Sequence, residues 1–181
     1  MKPIYVCLGW GSLVWDPRDL PIIGDWHQDG PSLRLEFSRV SMDGRLTLVL
    51  DPTGLLVPSL WCCLNVQDMQ HAVEVLASRE GIPLANAGSH IGRWSADLGG
   101  DDSEIAKWAE DKQVAGVVWT NLPPKFDNEN GRVPSCDEAL NYLSSLDSKS
   151  LIKAKEYVLN TPAQIQTKNR TQIEKMLQKI I

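Results

Sequence analysis

The chain has 181 residues, a net charge of −5, 43% hydrophobic residues and 23% charged residues. This composition is typical of a globular protein, and it lacks the basic excess that neutralises phosphates, so we expect no nucleic-acid partner. No apolar run approaches the about 20 residues of a membrane-spanning helix, and no leader-like start is present. We therefore expect a single domain over residues 1–181, cytoplasmic and with no membrane partner.

The cysteines and histidines do not follow the spacing of a disulfide framework or a zinc site. The four cysteines are Cys7, Cys62, Cys63 and Cys136. Cys62 and Cys63 are adjacent in a predicted strand, so their side chains point to opposite faces of it. We expect reduced, mostly buried thiols and no bound metal.

The first predicted element is a buried strand, Ile4 to Leu8, which leads into a glycine-serine loop. The loop residues of interest are Gly9, Trp10, Gly11, Ser12 and Leu13. Glycine adopts backbone angles that other residues avoid, so such a loop can leave N–H groups uncovered for an anionic ligand. Alternatively, the glycines only let the end of the strand turn past the neighbouring tryptophans.

Three strands are predicted next. Ser32 to Val40 alternates apolar and polar residues, Asp43-Gly44 is typical of a hairpin turn, and Leu46 to Leu50 returns. A third strand is predicted over Leu55 to Leu64. Pro58 lacks a backbone N–H, which predicts a bulge or an edge at that position.

A helix is predicted from Val66 to Glu80, capped by Asn65 and ended by Gly81 and Pro83. Its core-facing row is Met69, Val73 and Leu76, and the next step of four residues reaches Glu80. A carboxylate there also meets the negative end of the helix dipole, which disfavours its ionisation and suits a proton-transfer group. The alternative is a solvated Glu80 at a frayed helix end.

The second half of the chain is predicted to be mostly helical. Residues 83–102 and 121–135 are predicted surface loops, separated by a helix capped by Asp102 or Ser103 and a strand from Val114 to Thr120. Further helices are predicted over 136–146 and 151–159. The last helix is predicted to begin after a Thr161 cap, with an apolar row of Ile165, Ile173, Met176, Leu177 and Ile180.

Because strands come early and helices late, the sequence predicts an α+β fold. We expect a mainly antiparallel sheet that curls or forms a small barrel, flanked by helices. Two common sites are excluded by spacing. Val14 stands at the third glycine position of a dinucleotide fingerprint, and Ser12 is not in the loop typical of serine hydrolases.

Two motifs resemble those of the gamma-glutamylcyclotransferase superfamily. GWGSLVWDP, Gly9 to Pro17, resembles that family's GYGSL-type loop, and ASREG, Ala77 to Gly81, is similar to the Arg-Glu segment that holds its catalytic Glu. Both occur in the family's order, with hairpin strands between them, over roughly residues 4–81. Trp10 stands where the family commonly has Tyr, and the residues after Glu80 differ from those of the glutathione-degrading branch.

The resemblance implies an intramolecular acyl transferase, a lyase in its overall reaction. The loop at Gly9, Trp10, Gly11, Ser12 and Leu13 would hold the gamma-glutamyl part of a small-molecule substrate. Glu80 would be the general acid/base as the α-amine attacks the γ-carbonyl and 5-oxoproline leaves with release of an amine or amino acid. No metal and no organic cofactor is implied, and the fold would be that of the family.

Two other functions compete with this one. The same loop can serve a non-catalytic protein that binds a carboxylate or amino acid, with Glu80 as a polar anchor. A protein interaction through the Trp-rich surface or the last helix has less support, and the sequence leaves the oligomeric state and the leaving group open. The enzymatic hypothesis requires Glu80 to face the Gly9 to Leu13 loop.

Overall fold

The computed structural model describes residues 2–97 and 103–179, and within them the fold is α+β, as predicted. The described strands are β1 (Tyr5–Gly9), β2 (Ile22–His27), β3 (Ser32–Val40), β4 (Leu46–Leu50), β5 (Leu55–Pro58), β6 (Leu60–Leu64), β7 (Ile91–Ser95), β8 (Gly116–Thr120), β9 (Lys125–Phe126) and β10 (Glu129–Asn130). The described helices are α1 (Met69–Glu80), α2 (Leu84–His90), α3 (Glu104–Asp111), α4 (Cys136–Ser145), α5 (Ser148–Asn160) and α6 (Arg170–Lys179).

The chain divides into two compact units. The first is built from residues 1–33 and 58–122, and the second from residues 34–57 and 123–181. The strands form two mixed sheets, and in the described part of the chain neither closes into a barrel. No helix among the described residues is both long enough and apolar enough to cross a membrane.

The sheet of the first unit has the strand order β2-β6-β1-β8-β7. β1 is antiparallel to β6 and parallel to β8, and Cys7 lies opposite Cys62 in the β1–β6 register. Both thiols are fully buried in a core that also includes Val73 and Leu76 of α1, whereas Cys63, on the opposite face, is partly exposed. All four cysteines are free, as predicted.

Helix α1 begins three residues later than predicted. The Asp68 side chain, rather than Asn65, caps it by accepting a hydrogen bond from the His71 N–H at 2.8 Å. At the other end, Gly81 adopts a left-handed φ of 67°, and its N–H and that of Ile82 return to the carbonyls of the last turn. This cap fixes the helix end at Glu80, as predicted.

The predicted third strand, Leu55 to Leu64, is wrong as one element. It divides at Ser59 into β5 and β6, which belong to different sheets. Ser59 is fully buried, and both its N–H and its hydroxyl donate to the carbonyl of Pro31, at 3.1 and 2.8 Å. Pro58 therefore marks a change of sheet, a larger break than the expected bulge or edge.

The sheet of the second unit has the order β10-β9-β3-β4, with β5 also paired to β3. β3 and β4 are antiparallel and joined by the predicted Asp43-Gly44 turn, where Gly44 has a φ of 82°. Buried side chains from the sheet and from α4, α5 and α6 form this unit's core, among them Phe37, Leu143, Tyr157, Ile173 and Leu177.

Three predictions for the second half of the chain are wrong. The predicted loop 121–135 contains the short paired strands β9 and β10. The predicted loop 83–102 contains helix α2 and strand β7. Its residues 98–102, which include the alternative cap Asp102, lie outside the described residues. Ser103 is the residue that caps α3. The last helix begins at Arg170 rather than after Thr161, and Ile180 of its predicted apolar row lies outside the described residues. The buried Arg170 guanidinium donates to the carbonyls of Thr161, Pro162 and Ile165, which stabilises a non-helical path there.

Candidate functional site

The glycine-serine loop follows β1 directly and is anchored by its apolar side chains. Trp10 and Leu13 are each only 5% exposed, and Leu13 belongs to the core of the first unit. The backbone then makes one tight turn, in which the Val14 N–H donates to Gly11 O at 3.0 Å and the Asp16 N–H donates to Ser12 O at 2.8 Å. The loop is therefore a fixed turn whose partly exposed side chain is Ser12.

The start of this turn presents unused backbone donors. Among the described residues, the N–H groups of Gly11, Ser12 and Leu13 donate to no acceptor. They are the first groups of a helical turn, where N–H groups have no partner within the turn itself. N–H groups at the start of a helical turn are a common binding position for a carboxylate in proteins.

Gly9 is required for a different reason from the one the sequence suggested. Positive φ angles among the described glycines occur at other positions, so neither Gly9 nor Gly11 uses the left-handed region. A Cβ built on Gly9 would instead lie 2.7 Å from two ring atoms of Trp26 and 3.1 Å from a methyl group of Val14. Close packing of the Trp26 ring against the backbone therefore requires glycine here.

We expect Gly9→Ala to lower the free energy of unfolding by about 1–3 kcal/mol, because the added methyl group overpacks the contact with Trp26. Chemical denaturation with tryptophan fluorescence measures the change. Gly88→Ala is the matched control, since a Cβ at Gly88 meets no atom within 4 Å. Equal stability of the Gly9 variant and the wild type would show that Trp26 moves without cost.

Glu80 is the last residue of α1, and its side chain is 17% exposed, so it does not fray into solvent. Its Oε1 accepts a hydrogen bond from Arg79 Nη1 at 2.8 Å. Its Oε2 has no hydrogen-bond partner in the described part of the chain. One oxygen is thus held by a cation, and the other is available to take or give a proton.

Arg79 connects Glu80 to the loop. Its side chain is 4% exposed, and Nη2 donates to Asp16 O at 2.5 Å and lies 3.4 Å from Ser12 Oγ. Its Nε is buried and has no partner among the described residues. A single guanidinium therefore contacts the Glu80 carboxylate and the Ser12 hydroxyl, which brings together two predicted site residues separated by 68 positions.

Arg79 places a positive charge 2.8 Å from Glu80 Oε1, at the same helix end. A role for Arg79 is not predicted from the sequence. Its position beside Glu80 in the ASREG segment is the only sequence signal for such a role. Its partners in the loop, Ser12 and Asp16, lie more than 60 positions away in sequence.

Cys7 lies within electrostatic reach of this ion pair. Burial raises the pKa of the Cys7 thiol well above its usual range, the charges of Cys62 and Glu80 act in the same direction, and Arg79 acts against them. The thiol is therefore neutral and is not a nucleophile at neutral pH. Cys7 belongs to the buried core of the first unit, in agreement with the prediction of a buried thiol.

Comparison with known proteins gives distant structural likenesses. No family model matches the sequence, and no curated protein matches it significantly. A crystal structure of a yeast gamma-glutamylcyclotransferase specific to glutathione is 15% identical, with a TM-score of 0.48 over 97% of this chain and 98% of that one. The selenomethionine-labelled form of that yeast enzyme gives 15% identity and the same TM-score over 98% and 96%. Likeness at this level assigns neither a family nor an activity to the chain.

Proposed function

We propose that the protein is a gamma-glutamylcyclotransferase-like enzyme that releases 5-oxoproline from a small gamma-glutamyl amine or peptide. The observation that carries the proposal is the Arg79 guanidinium, which contacts both Glu80 and Ser12. The two segments that carry the sequence resemblance thus meet at one place. If the resemblance of the two short motifs were due to chance, there would be no reason for them to lie in contact in the fold.

The binding step in this proposal uses the backbone of the loop. The unpaired N–H groups of Gly11, Ser12 and Leu13 would bind the α-carboxylate of the gamma-glutamyl group. Gly9 and Trp10 fix the backbone that presents these groups, because both are buried against the first unit. A substrate folded in this way has its α-amine close to its own γ-carbonyl, which supplies the proximity effect of an intramolecular reaction.

The chemical step in this proposal uses the free oxygen of Glu80. The α-amine attacks the γ-carbonyl carbon, a carbon–nitrogen bond forms, and Glu80 Oε2 takes the proton that the amine loses. The bond from the γ-carbon to the leaving nitrogen then breaks, and Glu80 returns the proton to that nitrogen. The products are 5-oxoproline and a free amine or amino acid. Oε1 stays paired with Arg79 throughout, which holds the carboxylate in place.

A non-catalytic binding protein is the second candidate, and one observation favours it. Arg79 is almost fully buried and needs a counter-ion, so Glu80 has a structural role whether or not it transfers protons. In that case the loop would bind a carboxylate or an amino acid, and no bond would break.

A screen of gamma-glutamyl amines, amino acids and peptides, with 5-oxoproline measured by mass spectrometry, separates the two candidates. We expect turnover of at least one compound. Saturable binding of gamma-glutamyl compounds with no 5-oxoproline formed from any of them would support the binding protein and refute the enzyme.

The proposal also predicts the effect of Gly11→Val. The substitution places a β-branched side chain where the loop backbone must approach the ligand, so affinity for a gamma-glutamyl ligand should fall at least about tenfold. Isothermal titration calorimetry measures the affinity, and urea unfolding checks the fold. Gly88→Val, at an open position of α2, is the control. Unchanged affinity in the Gly11 variant would show that the loop is only a turn.

A further inference from the structure

A cavity of about 150 Å³ lies in the second unit, among residues that the proposed reaction does not use. Its polar lining residues are Glu36, Thr53, Ser135, Cys136, Lys168 and Asn169. At about 30 Å³ per water molecule, the space equals roughly five waters. It therefore suits a ligand much smaller than a drug-sized molecule.

Glu36 is a buried carboxylate without a cation. It is 3% exposed, and its Oε1 accepts hydrogen bonds from the Phe37 N–H at 2.8 Å and the Thr167 hydroxyl at 2.7 Å. Its Oε2 accepts one from the Asn169 N–H at 3.1 Å. All three donors are uncharged, and no cation of the described residues pairs with it. Glutamate is rarely buried without a charged partner, so a ligand ammonium group would supply the cation that this side chain lacks.

Another part of the wall is positively polarised. Ser135 caps α4 through a reciprocal pair of hydrogen bonds with Glu138, which leaves the Cys136 and Asp137 N–H groups without acceptors among the described residues. Cys136 lines the cavity, and Asp137 follows it in the first turn of the helix. These N–H groups lie at the positive end of the helix dipole. Lys168 adds an exposed ammonium that forms no ion pair in the described structure. This side of the cavity suits a carboxylate.

Asn169 provides an observation independent of the helix end. The residue is 6% exposed and lines the cavity, and its side-chain amide has no hydrogen-bond partner among the described residues. The amide is not among the fully enclosed polar atoms that lack a partner, so it is open to a polar ligand in the cavity. The amide can both donate and accept a hydrogen bond.

The thiol in the wall does not indicate covalent chemistry. Burial raises the pKa of the Cys136 thiol, the charges of Asp137 and Glu36 act in the same direction, and Lys168 acts against them. The Cys136 thiol thus lies close enough to both negative and positive side chains to be affected by their charges. The thiol stays neutral at that point and serves as a weakly polar contact.

We propose that this cavity binds a small free α-amino acid as a zwitterion, with its ammonium group on Glu36 and its carboxylate on Lys168 and the first N–H groups of α4. The Asn169 amide hydrogen-bonds either end of the ligand. The volume limits the side chain to a small one, such as that of glycine or alanine. The site does not depend on the proposed reaction, because it shares no residue with Glu80 or the loop.

NMR titration of the full chain with L-alanine tests the proposal through the backbone amides of Cys136, Asp137 and Asn169. We expect saturable shifts at these amides, at least about tenfold weaker binding of ethylammonium or propionate alone, and no shifts with L-tryptophan. No saturable shift up to about 10 mM L-alanine overturns the proposal. Binding of propionate or ethylammonium as tight as that of L-alanine also overturns the proposal.

Variants separate the site from non-specific binding. Lys168→Ala should weaken L-alanine binding at least about tenfold, and Glu36→Gln should do the same. Lys175→Ala removes an equal charge from the exposed face of α6, outside the cavity, and should leave binding unchanged. Because Lys168 is exposed, its variant remains informative if Glu36→Gln fails to fold.

Equal weakening of L-alanine binding by the two lysine variants overturns the proposal. Unchanged L-alanine binding in Glu80→Gln shows that the site is separate from the proposed reaction.

Discussion

Replacing Arg79 with methionine is expected to lower the free energy of unfolding by about 3 kcal/mol. This is a typical cost of removing one partner from a buried ion pair. The Arg79 side chain is 4% exposed, and its loss leaves Glu80 Oε1 and the carbonyl of Asp16 without their donor. Methionine keeps the apolar stem, so most of the packing remains. Urea unfolding at neutral pH measures the loss.

Arg18→Met is the matched control for that measurement. Arg18 binds the same helix end, through the Arg79 carbonyl at 3.3 Å, but its side chain is 59% exposed. Surface substitutions of this kind change stability by about 0.5 kcal/mol or less. Similar losses in both variants would show that the buried guanidinium does not hold the loop and the helix end together.

Glu80→Gln is expected to cut the turnover number for 5-oxoproline release by about 10²–10⁴-fold, the typical loss when a general acid/base is removed. Glutamine fills the same space and still accepts the Arg79 hydrogen bond, but its amide does not take a proton from the attacking amine. Ligand affinity should change little, because the loop N–H groups are untouched. Steady-state kinetics and calorimetry on the same compound measure the two quantities.

Glu74→Gln controls for the loss of one negative charge from α1. Glu74 accepts a hydrogen bond from Gln70 on the exposed side of the helix and makes no contact with the loop. Its variant should turn over substrate at the wild-type rate. Wild-type turnover by Glu80→Gln would remove Glu80 from the chemistry and leave it as the counter-ion of Arg79.

The parts of the fold predicted correctly are those set by local sequence. Alternation over Ser32–Val40 and the Asp43-Gly44 turn specify the β3–β4 hairpin. Gly81 ends α1 because its left-handed φ of 67° is easily adopted by glycine. The Ser135 and Glu138 pair begins α4 as a capping box. Each depends on residues within a few positions of one another.

The wrong predictions depend on partners that are distant in sequence. Residues 83–102 are predicted to form a loop because the segment is polar and rich in small residues. They contain β7, where the Trp119 ring packs so closely on Gly92 that a Cβ there would overlap it. The segment after Thr161 fits a helix start by its local residues, but the buried Arg170 binds three of its carbonyls instead. Tertiary hydrogen bonds and packing overrode local propensity in both places.

The candidate site was predictable only in part, for the same reason. The sequence identified Glu80 and the Gly9 to Leu13 loop by motif, but nothing local connects them. Arginine is rarely buried unless it is paired, so the 4% exposure of Arg79 was not expected from its place in the helix. Whether these residues bind and cyclise a substrate stays a prediction.

The identity of the product tests the central claim most directly. A gamma-glutamyl compound that the protein turns over is incubated with it in ¹⁸O-labelled water, and the products are analysed by mass spectrometry. Intramolecular attack by the α-amine predicts unlabelled 5-oxoproline in equal amount to the released amine, with both lost in Glu80→Gln. Glutamate carrying ¹⁸O would show attack by water, and would contradict the proposed cyclisation.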